Sequence, residues 1–175
     1  QWMMASDGAG VYFIVGNGFL ADESDTLYFA PVKSGALQTA VPVEKGCREI
    51  RWQFRDGVLF LVDDLGSRRL GFAQQGAADY IGAGPVDARS PVGEKSTLLY
   101  REQMDETGAG VLHLLAREDH LIGEDVEGFS YRNDELLYFY RKSDSGEGWD
   151  VYQWHSGREM LVGKNVVQIA GTATE

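Results

Sequence analysis

Soft metal ligands are nearly missing from this chain. It has one cysteine, Cys47, and three histidines, His113, His120 and His155. A single thiol can form neither an internal disulfide nor a cysteine-type zinc site, so Cys47 is expected to be a small buried hydrophobe. No histidine has a second one at i+4 or sits in a His-Glu-x-x-His frame, which removes the helix-borne zinc signature. No apolar run reaches the ~18 residues of a membrane helix, so no direct membrane insertion is expected. No basic stretch followed by an apolar one marks a signal peptide. The chain opens on "QWMMASDGAG", which reads as a processed or excised start, with an upstream signal or anchor left open.

Basic residues are also in deficit, 16 against 27 acids, for a net charge of −11. Such a surface repels phosphate backbones and anionic membranes. A cationic partner or a divalent cation remains compatible with it. Proline is scarce at four residues, whereas glycine reaches 22 and the aromatics comprise eight Phe, eight Tyr and four Trp. Many aromatics with many glycines favour strands joined by tight turns. At 175 residues and 43% hydrophobic, the chain can bury the core of one globular domain, expected over residues 1–175.

One phrase is written nearly twice, "LIGEDV" at 121–126 and "LVGKNV" at 161–166. Aligning them brings four longer units into line, at residues 10–54, 57–90, 97–132 and 135–171. The first aromatic after an aliphatic gives anchors Phe13, Phe60, Tyr100 and Tyr138, spaced by 47, 40 and 38 residues. The glycine of the repeated phrase gives Gly82, Gly123 and Gly163, spaced by 41 and 40. The first unit reads "TAVPVE" there and has no such glycine. Each unit runs through an apolar segment, a Gly/Asp-rich turn, a second segment such as "TLYFAPV" or "DVYQWHS", a tight turn, a short third segment and a closing apolar one such as "CREIRWQF" or "VEGFSYR". Runs of this length, aromatic or β-branched and bounded by turn residues, are strands. No stretch shows sustained i, i+3, i+4, i+7 apolar spacing, so little helix is expected.

A lone four-stranded sheet cannot cover both of its faces, but stacked copies can. Four strands recurring about every 40 residues resemble the blades of a β-propeller. The resemblance covers residues 10–171 and rests on spacing and alternation. The Gly-His and Trp-Asp dipeptides of WD repeats are absent, and "GWD" at 148–150 stands in another place. The units look most like the divergent repeats of bacterial cell-surface and periplasmic propellers, which implies an all-β fold and an extracytoplasmic setting. Four blades could close into a ring, as in the hemopexin-like fold. They could instead form an open arc with exposed edges, or two chains could join as a homodimer that completes an eight-bladed propeller.

Candidate chemistry is sparse. "VGNGFLA" places Gly16, Gly18 and Ala21 in the dinucleotide-fingerprint spacing, but that motif needs a following helix, and "DESDTLYF" reads as a turn and a strand. The loops after each first segment are acidic, with Asp22, Glu23 and Asp25; Asp63 and Asp64; Asp105 and Glu106; and Asp144, Glu147 and Asp150. Calcium favours such oxygens, which makes Asp63, Asp64, Asp105 and Asp144 the metal candidates. The same residues are ordinary turn formers, no loop has EF-hand spacing, and no cofactor is expected. No Gly-x-Ser-x-Gly elbow occurs. Paired carboxylates for glycoside cleavage need distances that a sequence does not show.

Trp149, Tyr152 and Trp154 lie together in the sequence and are the candidate partner-binding residues, since aromatics rimmed by polar groups suit recognition. The expected function is a non-catalytic protein- or peptide-binding or scaffold module. The alternatives are a glycan-binding or glycan-processing propeller domain and a structural segment of a larger surface protein.

Overall fold

The computed structural model describes residues 1–16, 25–64, 67–92, 95–133 and 136–168. Every regular element among them is a strand. The chain forms two compact units, Gln1–Val86 with Glu94–Ser96, and Asp87–Gly93 with Thr97–Glu175.

The first unit holds two antiparallel sheets. One contains β1 (Trp2–Met4), β2 (Gly10–Val15), β3 (Thr26–Lys33), β4 (Ala36–Leu37) and β5 (Val41–Lys45). The other runs in chain order through β6 (Cys47–Phe54), β7 (Gly57–Asp64), β8 (Ser67–Gln74) and β9 (Ala77–Ile81). The hairpin turns Ser34–Gly35 and Gln75–Gly76 have positive φ at both residues (51° and 75°; 50° and 85°). This is the turn whose twist matches paired strands. Tyr12, Leu27 and Phe29 of the first sheet pack against Val58, Phe60, Val62 and Ala73 of the second, with Cys47 and Ile50 among them. Cys47 is fully buried, as expected of a lone thiol.

The second unit is one seven-stranded antiparallel sheet in chain order, β10 (Asp87–Ala88), β11 (Leu98–Glu102), β12 (Gly110–Leu115), β13 (Asp119–Asn133), β14 (Leu136–Lys142), β15 (Trp149–His155) and β16 (Arg158–Val166). β13 serves twice. Up to Val126 it pairs with β12, and from Val126 onward with β14. The sheet therefore folds over on itself as two four-stranded meanders. Leu99, Leu112, Leu114 and Ile122 of the earlier one pack on Phe129, Leu137 and Phe139 of the later one.

The sequence units and the sheets are offset by one strand. Cys47–Phe54, which closes the first unit, pairs with β7. Asp87–Ala88, closing the second, pairs with β11, and the end of β13, closing the third, pairs with β14. Each unit thus hands its last segment to the next sheet. The hand-over point carries a left-handed residue every time: Gly46 (φ 67°), Gly84 (106°), Asp125 (54°), with Asn165 (52°) the counterpart in the last meander. Glycine adopts this region freely, and Asp and Asn tolerate it better than other residues.

This explains the repeated phrase. In both copies one extra residue is inserted opposite the partner strand. Gly110 and Leu112 face Val126 and Gly123, while Trp149 and Val151 face Val166 and Gly163. "GEDV" and "GKNV" encode one β-bulge. The same register aligns a cross-strand ring pair in the first sheet and in both meanders of the second unit. Phe13 stacks on Tyr28 (5.7 Å, 15°), Tyr100 on His113 (5.0 Å, 15°) and Phe139 on Tyr152 (5.3 Å, 14°). In the remaining sheet Phe60 pairs with Gly71 and lies over its Cα. The anchor of the last unit is therefore Phe139 and not its neighbour Tyr138. Two adjacent aromatics made the choice ambiguous in the sequence.

Candidate functional site

Among the described residues the acidic loops do not converge on a cation site. Asp63 is held by Arg48, with Arg68 Nε 3.8 Å away. Asp105 is engaged within its own turn, where its Oδ1 accepts from the Thr107 hydroxyl (2.7 Å) and from the N–H groups of Thr107 (2.8 Å) and Ala109 (3.0 Å). The Thr107 hydroxyl bond, ahead of the backbone bonds, holds its carboxyl below the usual range. Asp144 is an exposed turn residue. The side chain of Asp64, together with Gly18, Ala21, Asp22 and Glu23, lies outside the described residues. Among the described residues no three His, Cys, Asp or Glu side chains converge as a metal site. Gly18 and Ala21 of the dinucleotide-like spacing lie outside the described residues, and the strands on either side, β2 and β3, pair antiparallel with each other.

One partly buried polar cluster lies in the second unit. The Tyr100 hydroxyl donates to Asp119 (2.8 Å), whose Oδ2 lies 3.3 Å from His113 Nδ1, and Glu102 Oε1 lies 3.6 Å from His113 Nε2. Burial, then the Asp119 carboxylate, holds the tyrosine hydroxyl far above its ordinary range. The hydroxyl donates to the carboxylate and not to the imidazole, which is not the order of a nucleophilic triad. The cluster ties β11, β12 and the start of β13 together.

The three aromatics expected to bind a partner do not form one patch. Tyr152 and Trp154 face inward and pack against the core of the second unit. Trp149 points to the opposite side of β15, edge-on to Tyr140 (6.0 Å, 72°), and its indole N–H donates to Glu127 Oε2 (2.5 Å). It borders a cleft of about 320 Å³ lined by Glu127, Lys142, Gly146, Gly148, Trp149 and Val167. The loop beside the cleft is fixed by Asn165, whose Oδ1 accepts from Ser143 (2.5 Å) and Ser145 (2.8 Å) and whose N–H donates to Asp150 (3.0 Å). Glu127 gave no signal in the sequence, because it reaches Trp149 only through the pairing of β13, β14 and β15.

Trp149 shares its side of β15 with Val151, which belongs to a larger surface. By register Tyr138, Val151 and Val162 of the last meander correspond to Leu99, Leu112 and Ile122 of the one before. Leu99 and Ile122 are 0% and 7% exposed beneath the neighbouring meander, whereas Tyr138 and Val162 are 36% and 47% exposed, and Met160 beside them is 56% exposed. A sheet face that is core in one repeat is surface in the next. Tyr138, Met160 and Val162 thus gather exposed apolar groups on one face.

No protein-family model matches the chain, and no curated protein matches it. Solved structures do. The chain is similar to the beta-propeller domain of the Trilobed protease from Pyrococcus furiosus, at 13% identity over 93% of this chain and 57% of that one, with a TM-score of 0.48. It is also similar to an acylaminoacyl peptidase solved in complex with Z-Gly-Gly-Phe-chloromethyl ketone (13%, 93% and 31%, TM-score 0.45). A third is the acylaminoacyl peptidase of Pyrococcus horikoshii (14%, 89% and 30%, TM-score 0.43). The chain spans a little over half the length of the first of these and under a third of the other two.

Proposed function

We propose that this chain is a non-catalytic binding module built from propeller-like blades, which takes a protein or peptide partner on the uncovered face of its last meander. The observation that carries the reading is the contrast in exposure between Tyr138 and Val162 and their buried counterparts Leu99 and Ile122. Burying a Val- or Tyr-sized group is worth about 1.5–3 kcal/mol, so leaving several in water favours any surface that covers them. The Trp149 cleft supplies polar groups at the rim, with Glu127 and the overall charge of −11 favouring a cationic segment.

Selection of binders from a displayed peptide library tests this reading. Enriched peptides should lose at least tenfold in affinity to Val162→Asp and keep it against Leu121→Asp, a change at an exposed strand residue away from that face. Binders indifferent to Val162 would overturn the assignment. A second reading, a glycan subsite, is favoured by Trp149 standing beside a carboxylate and an ammonium group in one cleft. Calorimetric titration with neutral mono- and oligosaccharides should then show binding that Trp149→Ala abolishes.

A further inference from the structure

The two units dock their sheets in the same way. In the first unit the Tyr12, Leu27 and Phe29 face of the leading sheet receives the Phe60 face of the following one. In the second unit the Leu99, Leu112 and Leu114 face of the leading meander receives the Phe139 face of the following one. By register Tyr12, Leu27 and Phe29 stand where Leu99, Leu112 and Leu114 stand, and Phe60 stands where Phe139 does. The chain therefore uses one rule twice, in which a leading face accepts the face of the following sheet that carries its anchor aromatic, Phe60 or Phe139.

One face of each type stands exposed, whereas Leu59 and Leu70 on the leading-type face of the second sheet and Tyr100 on the ring-type face of the earlier meander are buried. The leading-type face of the last meander is the exposed surface around Tyr138 and Val162. The ring-bearing face of the first sheet carries Phe13 and Tyr28, with Trp2 opposite Phe13 and Val15 at the end of β2. Trp2 and Val15 are 69% and 53% exposed. A chain with one free socket and one free plug of the same pattern is complementary to itself, head to tail.

We propose that a second copy of this chain is the partner, its first-sheet face (Trp2, Phe13, Val15, Tyr28) stacking on the last-meander face (Tyr138, Val151, Val162) of the first copy. This rests on the reading of the last-meander face as a protein-binding surface and names its occupant. The contact is heterologous, so it either closes a ring of copies or extends into a chain of them.

Sedimentation equilibrium of the purified chain with Val15→Asp and Val162→Asp tests the pairing. Both positions are exposed, and circular dichroism should show an unchanged strand spectrum. The wild type should exceed its 19.4 kDa monomer mass at high concentration. Each variant alone should sediment as monomer, because every molecule lacks the same half of the contact. An equimolar mixture should recover a species of twice the monomer mass, with one intact socket meeting one intact plug. Self-association of either variant alone, or a mixture that stays monomeric, would overturn the head-to-tail contact. A monomeric wild type whose selected peptides still depend on Val162 would overturn it as well, while leaving the peptide-binding reading standing.

Discussion

Gly71 has no side chain, and the Phe60 ring occupies the space where one would be. Phe60 is itself fully buried, so neither group can give way. Gly71→Ala should destabilise the first unit by about 1–3 kcal/mol or more through overpacking, and urea denaturation should show it as a lowered midpoint. Gly71→Ala combined with Phe60→Leu should recover part of the loss. Cys47 offers a second test at this scale. Burial pushes its thiol up to about 12, whereas an unfolded thiol ionises near pH ~8.5. The folded state keeps the proton, so this contribution is complete below the unfolded value and is lost as pH rises toward the folded one. Between those limits the wild-type denaturation midpoint should fall with pH more steeply than that of Cys47→Ala.

Elements show what equal sequence and unequal surroundings do. Phe139 and Phe13 hold the same register and stack on the same kind of partner. Phe139 is covered by the neighbouring meander, whereas the Phe13 face is open. Phe139→Ala should therefore cost about 3–5 kcal/mol. Phe13→Ala in dilute solution should cost only about 0.2–1 kcal/mol, the scale of a cross-strand pair. Chemical denaturation of the two variants measures the difference. The strands themselves were legible, because period-two runs between Gly, Ser and Asp are local signals. The repeated phrase was legible as well, since a bulge needs its residues in fixed order. The hand-over of Cys47–Phe54 to the following sheet was not, because which edge a strand pairs with is decided by contacts outside it. For the same reason the sequence grouped Trp149 with Tyr152 and Trp154. Tyr152 stands three positions after Trp149, an odd step along a strand that sends the two side chains to opposite faces. Nothing local ranks those faces as inside or outside.

Charge and shape meet in the whole molecule. Two copies carrying −11 each repel at long range, while the faces assigned to their contact are apolar and aromatic. Salt shortens the reach of that repulsion to about 10 Å at 0.1 M and leaves apolar burial intact. The sedimenting mass should therefore rise with sodium chloride at fixed protein concentration. A fall would mean that ion pairs and not the apolar faces hold the copies together.

β13 belongs to two meanders at once, with its first half bonded to β12 and its second to β14. Buried Arg101 fastens the midpoint by donating to the Val126 carbonyl at 2.9 Å. Neither meander can come apart without taking a strand from the other. Amide protons on both sides of Val126 should then exchange with deuterium on one common clock, and a graft that moves either meander into another scaffold must carry all fifteen residues of Asp119–Asn133 with it.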